Sequence, residues 1–185
     1  MAVAGHVGDF EAAEGALSDI DPAIRATALG ALERLGRLDA ATIVKALGDA
    51  SPVVRRRAAD LAARHREISL LVALDDPDAG VVEAAAFACG EQQSADALVL
   101  GRLCALAGGH DDPLVREAAV AALGAIGDPA GLPAILEATG DKPAVRRRAV
   151  LALAPFEGPD VDAALARALT DRDWQVRQAA EDLTS

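Results

Sequence analysis

The stretch Asp112-Pro113-Leu114-Val115-Arg116 occurs in six versions along this chain, and the copies lie roughly thirty residues apart. In every copy an Ala follows three residues after the last position. A repeat of this length predicts a solenoid, because a single unit cannot bury its own apolar face and must stack on its neighbours. The other five copies end at residues 25, 55, 83, 146 and 177, where Glu83 replaces the usual Arg.

Each copy is typical of a helix start. Asp21, Ser51, Asp112 and Asp173 are residue types that cap helix N-termini, and a Pro follows three of them where its missing N–H costs nothing. Apolar residues then recur at helical spacing, which predicts a second or B helix in each unit, preceded by a first or A helix. The sequence predicts an all-α fold, an α-solenoid of about six helix–turn–helix units forming a single domain over residues 1–185.

Two local features refine this prediction. Gly36, Gly127 and Gly158 stand where helices are expected to end in a left-handed residue. The third unit departs from the pattern at Glu83 and in the polar segment 91–96, so a longer loop is expected there.

The composition limits the class of protein. The 185 residues carry a net charge of −11 and include 45 Ala, while Tyr is absent. Acidity of this kind repels phosphate backbones at long range. Cys89 and Cys104 lie in apolar helical segments and are expected to be small buried side chains of a reduced, cytoplasmic protein. No apolar run is long enough to predict a membrane span or a signal peptide.

Residue patterns for catalysis or metal binding are missing from the sequence. The three His, at positions 6, 65 and 110, form no helical pair, so no metal site is predicted. No Ser or Cys stands in a nucleophile motif, and the Asp clusters at 75–78 and 111–112 are explained by helix capping. The sequence therefore predicts no catalytic residue and no cofactor, and His65 is expected to be a partly buried structural side chain.

Ala121-Ala122-Leu123-Gly124-Ala125-Ile126-Gly127-Asp128-Pro129, followed by Leu132-Pro133-Ala134-Ile135-Leu136, resembles the HEAT repeat of the short bacterial and archaeal type known from phycobilisome lyase subunits. The resemblance implies that the B helices line a concave face. It also implies that turn Asp residues pair with the motif Arg residues. The residues concerned here are Arg25, Arg55, Arg116, Arg146 and Arg177, with Asp21, Asp112 and Asp173 as turn residues and Asp19, Asp49, Asp141 and Asp171 as further candidates.

The sequence places the candidate binding surface on the exposed ridge of the B helices. An apolar floor with a polar rim is typical of a groove for a peptide or a helix, although the Ala residues could equally reflect helix preference. Trp174 stands where other copies have Pro, and Trp is common at binding hot spots. The candidate partner-binding residues are Arg56, Asp60, Ala88, Glu117, Ala121, Arg147, Leu151 and Trp174.

Three functions remain open at this stage. The first is a non-catalytic scaffold that binds a protein or peptide partner through the concave face. The second is a subunit or accessory factor of an enzyme, of the kind that handles phycobilin chromophores, which follows from the resemblance alone. The third is nucleic-acid binding through the triplets Arg55–Arg57 and Arg146–Arg148, but the matching positions of the other units are not basic, so the positive stripe is broken.

Overall fold

The computed structural model describes residues 2–93 and 95–184, with side chains from residue 9 onward. Over these residues the chain forms α-helices and short 3₁₀ turns without any strand, which confirms the all-α prediction. The helices are α1 (Ala2–Ala16), α2 (Pro22–Arg34), α3 (Ala40–Leu47), α4 (Pro52–Ala62), α5 (Ala79–Gln92), α6 (Ala97–Gly109), α7 (Pro113–Ile126), α8 (Leu132–Ala138), α9 (Pro143–Ala152), α10 (Pro159–Ala168) and α11 (Trp174–Thr184). The B helices are α2, α4, α5, α7, α9 and α11.

The chain divides into two compact units, the first ending at Ala85 and the second beginning at Ala86, inside α5. Each unit is built from A and B helices packed side by side. The single domain over residues 1–185 stays a prediction.

Helix starts follow the predicted capping chemistry at three of the four proposed positions. The carboxylates of Asp21, Asp112 and Asp173 each accept the backbone N–H two residues ahead, over 2.8–2.9 Å. Ser51 occupies the same position before α4, but its side chain makes no capping hydrogen bond. The prediction that the Ser51 side chain caps α4 was wrong. Pro52 at the start of α4 has no N–H, so one fewer backbone donor needs a partner there.

The third unit lacks its A helix. Between α4 and α5 the chain forms only a 3₁₀ turn at Ala73–Asp75. The buried side chains of Ile68, Leu70 and Leu74 fill the core there without a regular helix. The prediction of two helices in every unit was wrong at this place. The loop after α5 lies in the predicted polar segment, and Gln93 adopts a positive φ of 52°; Ser94 lies outside the described residues.

In the first unit, α2 and α4 approach closely at a glycine. A Cβ added to Gly30 would lie 2.5 Å from Nη2 of Arg57 on α4. The absence of a side chain at residue 30 thus makes room for the Arg57 guanidinium to lie across α2. Val54 of α4 is buried at this interface.

The second unit repeats this arrangement with backbone against backbone. A Cβ on Gly124 of α7 would lie 2.6 Å from Cβ and 2.7 Å from Cα of Ala152 on α9. A Cβ on Gly90 would come within 3.1 Å of Cα of Ala122. Small residues therefore set the spacing between successive B helices, since side chains there would force the helices apart.

We expect Gly124→Ala to destabilise the protein by about 1–3 kcal/mol, because the new methyl group meets the Ala152 backbone rather than a movable side chain. Gly101→Ala on the exposed side of α6 is the matched control. A Cβ at Gly101 meets nothing within 4 Å, so this change should stabilise by about 0.5–1 kcal/mol through helix propensity. Urea unfolding of both variants checks the pair, and a Gly124→Ala protein as stable as Gly101→Ala would contradict the proposed close packing.

Candidate functional site

The motif Arg residues form an Arg–Asp ladder with the turns of the following repeats. In the first unit, Nε and Nη2 of Arg25 donate to both carboxylate oxygens of Asp49, at 2.9 and 2.6 Å. Arg55 bonds Asp76 in the same two-pronged way, at 2.6 and 2.8 Å. Two parallel N–H···O bonds fix both position and direction of the partner, so each pair joins one repeat to the next.

The second unit contains two further rungs of the same geometry. Arg116 bonds both oxygens of Asp141, at 2.6 and 2.9 Å. Arg146 bonds Asp171, at 2.9 and 2.7 Å. All of these side chains are largely buried, which shields the ion pairs from the screening that weakens surface pairs.

The remaining guanidinium nitrogen of each ladder Arg, Nη1, donates to backbone carbonyls in the turn that precedes its own helix. Nη1 of Arg55, for example, donates to the backbone carbonyls of Asp49 and Ala50. The Asp49 carboxylate also accepts the Ser51 N–H at 2.8 Å. Asp49 thus holds the Arg of the preceding repeat, the Arg of its own repeat and the entry to α4, so it satisfies several polar groups of the turn at once.

The ladder Asp residues differ from most of those expected. Asp21, Asp112 and Asp173 cap their helices, whereas Asp49, Asp76, Asp141 and Asp171 receive the guanidinium groups. Asp76 was not among the sequence candidates because the turn before α5 has a shifted register. Arg177, in the last repeat, donates to the Asp171 carbonyl at 2.7 Å.

The ion pairs change the acidity of the ladder carboxylates. Hydrogen bonds from the partner Arg hold the pKa of Asp49, Asp76, Asp141 and Asp171 below the ordinary value, although burial acts in the opposite direction. These groups are therefore anionic throughout the physiological range.

We expect Asp141→Asn to lower the free energy of unfolding by about 2 kcal/mol, because it leaves the Arg116 guanidinium without a charged partner. Asp111→Asn is the matched control in the turn before α7. Arg116 reaches residue 111 only through the backbone carbonyl, so this second neutralisation should change stability little. Equal losses in the two variants, measured by urea unfolding, would contradict the ladder.

The same pair of variants has a predicted pH dependence. The pKa of Asp141 is lower in the folded protein than its ordinary value of 3.8. Its stabilisation is therefore fully present above that pH and is lost as the pH falls through the folded value. The stability gap between wild type and Asp141→Asn should narrow as the pH falls below 3.8, and it should close once the pH is below the lower pKa of Asp141 in the folded protein.

The predicted exposed ridge is not a continuous apolar floor. Ala88, a candidate partner-binding residue, has no exposed surface, so the prediction that it lies on an exposed ridge was wrong. Its position in the motif corresponds to Gly30, which faces the next B helix in the first unit. Ala121 is half-buried, and Leu151 packs partly against the cluster around Val150 and Val176.

Charged ridge residues form ion pairs across neighbouring B helices. Nη2 of Arg56 lies 3.6 Å from Oε2 of Glu83 in the first unit. In the second unit, Oε1 of Glu117 lies 3.5 Å from Nη2 of Arg148 and 4.0 Å from Nη2 of Arg147. The Arg residues of each triplet thus contact different partners, and the nearby carboxylates offset the positive charge of the triplet.

Two further candidates on the B helices are exposed. Desolvation raises the pKa of Asp60, although neighbouring Arg56 and Arg57 lower it. Trp174 begins α11 and is 64% exposed. Both side chains remain available to a partner.

An open apolar surface lies along α2. A groove of about 560 Å³ runs between α1 and α2, and we call it the α1–α2 groove. Its apolar lining includes Ala13, Ile24, Ala28, Ala31 and Leu35, while Asp9 and Arg34 add charge.

Ile24 shows why this surface is unusual. It is 43% exposed, whereas the residue at its motif position in other repeats is almost completely buried: Val54 2%, Val82 2%, Val115 0%, Val145 0% and Val176 1%. Ile24 is therefore exposed at a position where the other five repeats bury a Val. Sequence reasoning missed the site because Ile24 fits the repeat motif as well as the others do.

The remaining chemically reactive side chains of the described residues lie apart from one another. No group of three or more metal-binding side chains occurs in the described part of the chain. Burial raises the pKa of the Cys89 thiol to about 12. His65 lies 3.7 Å from Glu33 and 3.3 Å from Glu67, in keeping with a partly buried side chain. Over the residues that the structure describes, no helix is both long and apolar enough to cross a membrane.

Comparisons with known proteins identify the repeat. The model for HEAT repeats matches residues 67–144, and the model for the PBS lyase HEAT-like repeat matches residues 145–171. These adjoining ranges together cover more than half of the chain. They confirm the predicted resemblance.

Solved structures agree on the fold. The X-ray structure of YibA from Escherichia coli has a TM-score of 0.67 at 18% identity, covering 96% of this chain and 72% of that one. An engineered protein gives 0.65 at 20% identity, with 95% and 94% covered. A designed armadillo repeat protein gives 0.63 at 18% identity, with 91% and 95% covered. At these identities the matches confirm the α-solenoid fold and carry no function. No curated protein sequence matches the chain.

Proposed function

Because the chain belongs to the HEAT-repeat family, we propose that it is a non-catalytic protein-binding module whose binding surface is the α1–α2 groove. Repeat solenoids are generally of the protein-interaction type, and their stacked helices present extended surfaces to partners. The exposure of Ile24 carries the proposal. A large apolar side chain lies in the open at the motif position that other repeats bury.

The chemistry of the groove supports a protein partner. Its floor of Ala and Ile side chains offers apolar area, and Asp9 and Arg34 at its margin offer charges that can fix the orientation of a ligand. Exposed apolar surface with a polar rim is common where proteins bind one another. Each unit also offers side chains for a second contact area. These are Arg56 and Asp60 in the first unit and Glu117, Arg147 and Trp174 in the second.

The alternative functions have weaker support. Nucleic-acid binding needs a positive surface, whereas Glu83 and Glu117 offset the two Arg triplets and the whole chain carries a net charge of −11. A role in chromophore handling rests only on the repeat type, since repeats of one fold serve many functions.

We expect Ile24→Asp to weaken binding of a natural partner at least about tenfold, because a carboxylate in the groove removes apolar contact and must be desolvated. Partners are first captured from the native organism with the wild-type chain and identified by mass spectrometry. Binding of the purified partner is then measured by titration calorimetry.

Ile20→Asp is the matched control for this experiment. Ile20 is 97% exposed and lies in the turn before α2, outside the groove. Both variants should keep the circular dichroism of the wild type. Partners that bind both variants equally well would refute the groove as the binding surface.

A further inference from the structure

A histidine takes the place of a carboxylate in the turn between α6 and α7. Nδ1 of His110 accepts the backbone N–H of Asp112, with 3.0 Å between the two nitrogens. In four other repeats the N–H that precedes the B helix bonds a carboxylate oxygen two residues back, over 2.8–2.9 Å. The acceptors in those repeats are Asp19, Asp49, Asp76 and Asp171. An imidazole thus does in this turn what a carboxylate does in the others.

His110 connects the end of α6 to the start of α7. Its backbone N–H donates to the Leu106 carbonyl of α6, and its own carbonyl accepts from Nη1 of Arg116 on α7. The Asp112 carboxylate in turn accepts the Leu114 N–H in the first turn of α7. The bond between His110 and the Asp112 N–H is therefore one of the contacts that hold the cap of α7 in place.

The imidazole differs from a carboxylate in its response to protons. Nδ1 accepts a hydrogen bond only in the neutral ring whose proton is on Nε2. In the protonated ring both nitrogens are donors, so the N–H of Nδ1 would face the N–H of Asp112 and the bond would be lost. Hydrogen bonds from the partner Arg hold the pKa of Asp49 and Asp171 below the ordinary value, so these carboxylates stay acceptors at pH 5–8, where histidine side chains titrate.

We propose that the turn between α6 and α7 is a pH-sensitive element of the fold, closed around neutral His110 and loosened when the imidazole is protonated. The proposal concerns the second unit alone and does not depend on the α1–α2 groove. Arg116 and Asp141 keep their charges over the same pH range, since Arg116 holds the pKa of Asp141 below its ordinary value. Protonation therefore loosens the turn, while the ladder rung between Arg116 and Asp141 stays in place.

Charged groups of both signs lie next to His110 and set the pH of the transition. They are its neighbours in the turn and the residues that line, with His110, a cavity of about 500 Å³: Asp111, Asp112, Arg116, Glu137, Asp141 and Lys142. The carboxylates favour the protonated ring, whereas Arg116 and Lys142 oppose it. By its register in the sequence, Glu83 is the ladder residue of the preceding repeat, and it pairs with Arg56 in the first unit. This balance fixes the midpoint, while the direction of the change follows from Nδ1 itself.

NMR spectroscopy of the full chain tests the proposal. Long-range proton–nitrogen spectra should show the neutral His110 ring with its proton on Nε2. Between about pH 8 and about pH 5 the Asp112 amide resonance should shift with the same midpoint as the His110 ring. The protection factor of that amide against hydrogen exchange should fall at least about threefold over this range, as the loss of one hydrogen bond predicts. The Asp173 amide, bonded to Asp171 in the same geometry, is the internal control and should keep its protection.

Two variants separate the hydrogen bond from the titration. In His110→Asn the side-chain oxygen can accept the Asp112 N–H but does not titrate, so the amide should stay protected across the whole pH range. His110→Ala removes the acceptor, and the Asp112 amide should then have low protection at every pH. Circular dichroism should show unchanged helix content in both variants.

Three results would overturn the proposal. They are a neutral His110 ring with its proton on Nδ1, an Asp112 amide that does not follow the titration of the ring, and a pH dependence that persists unchanged in His110→Asn. None of them affects the proposed function, because partner binding to Ile24→Asp is measured independently of this turn.

Discussion

Close approach of successive B helices is the constraint on which the rest of this structure depends. A side chain at Gly124 would collide with the backbone of the next helix, and one at Gly30 would displace the Arg57 guanidinium. Because the helices lie so near one another, single methyl-sized changes are felt in the packing. The motif Val of each later repeat, such as Val145, is buried, whereas Ile24 at the same motif position is 43% exposed. The same motif position is therefore buried in the later repeats and exposed at α2.

The Arg–Asp ladder stabilises the turns between these packed helices. Each ladder Asp accepts a two-pronged bond from an Arg and a further bond from a backbone N–H. The backbone carbonyls of Asp49, Asp141 and Asp171 also accept from the Arg of their own repeat. The rungs cover Arg25 and Arg55 in one unit and Arg116 and Arg146 in the other. At the third repeat Glu83 holds the Arg position and pairs instead with Arg56. The repeat without an A helix is also the repeat with the exchanged charge.

Much of the fold could be predicted from the sequence, because Asp-Pro pairs and helical spacing act locally. Gly36 and Gly127 follow helices with φ of +63° and +69°, as predicted. Gly158 was wrongly predicted to end a helix, because α9 ends at Ala152 and Gly158 instead precedes α10. The burial of a residue depends on the helices packed around it, however, and the spacing of apolar residues along one helix does not reveal those other helices. Ala88 obeyed the count for an exposed ridge yet lies against other helices, and Ile24 obeyed the count for a buried residue yet faces solvent. In several repeats two turn Asp residues stand only two positions apart, such as Asp171 and Asp173, so spacing alone could not separate the cap from the ladder partner.

Ile24 at the motif position of α2 is exposed, whereas Val54 at the same position of α4 is buried. Thiol labelling measures this difference in accessibility directly. Ile24→Cys and Val54→Cys are compared in a chain whose half-buried Cys104 has been replaced by Ser. The account predicts rapid labelling at position 24 and slow labelling at position 54 under native conditions, with equal rates in urea. Equal protection of the two positions in the native protein would contradict it, since α2 would then already be covered.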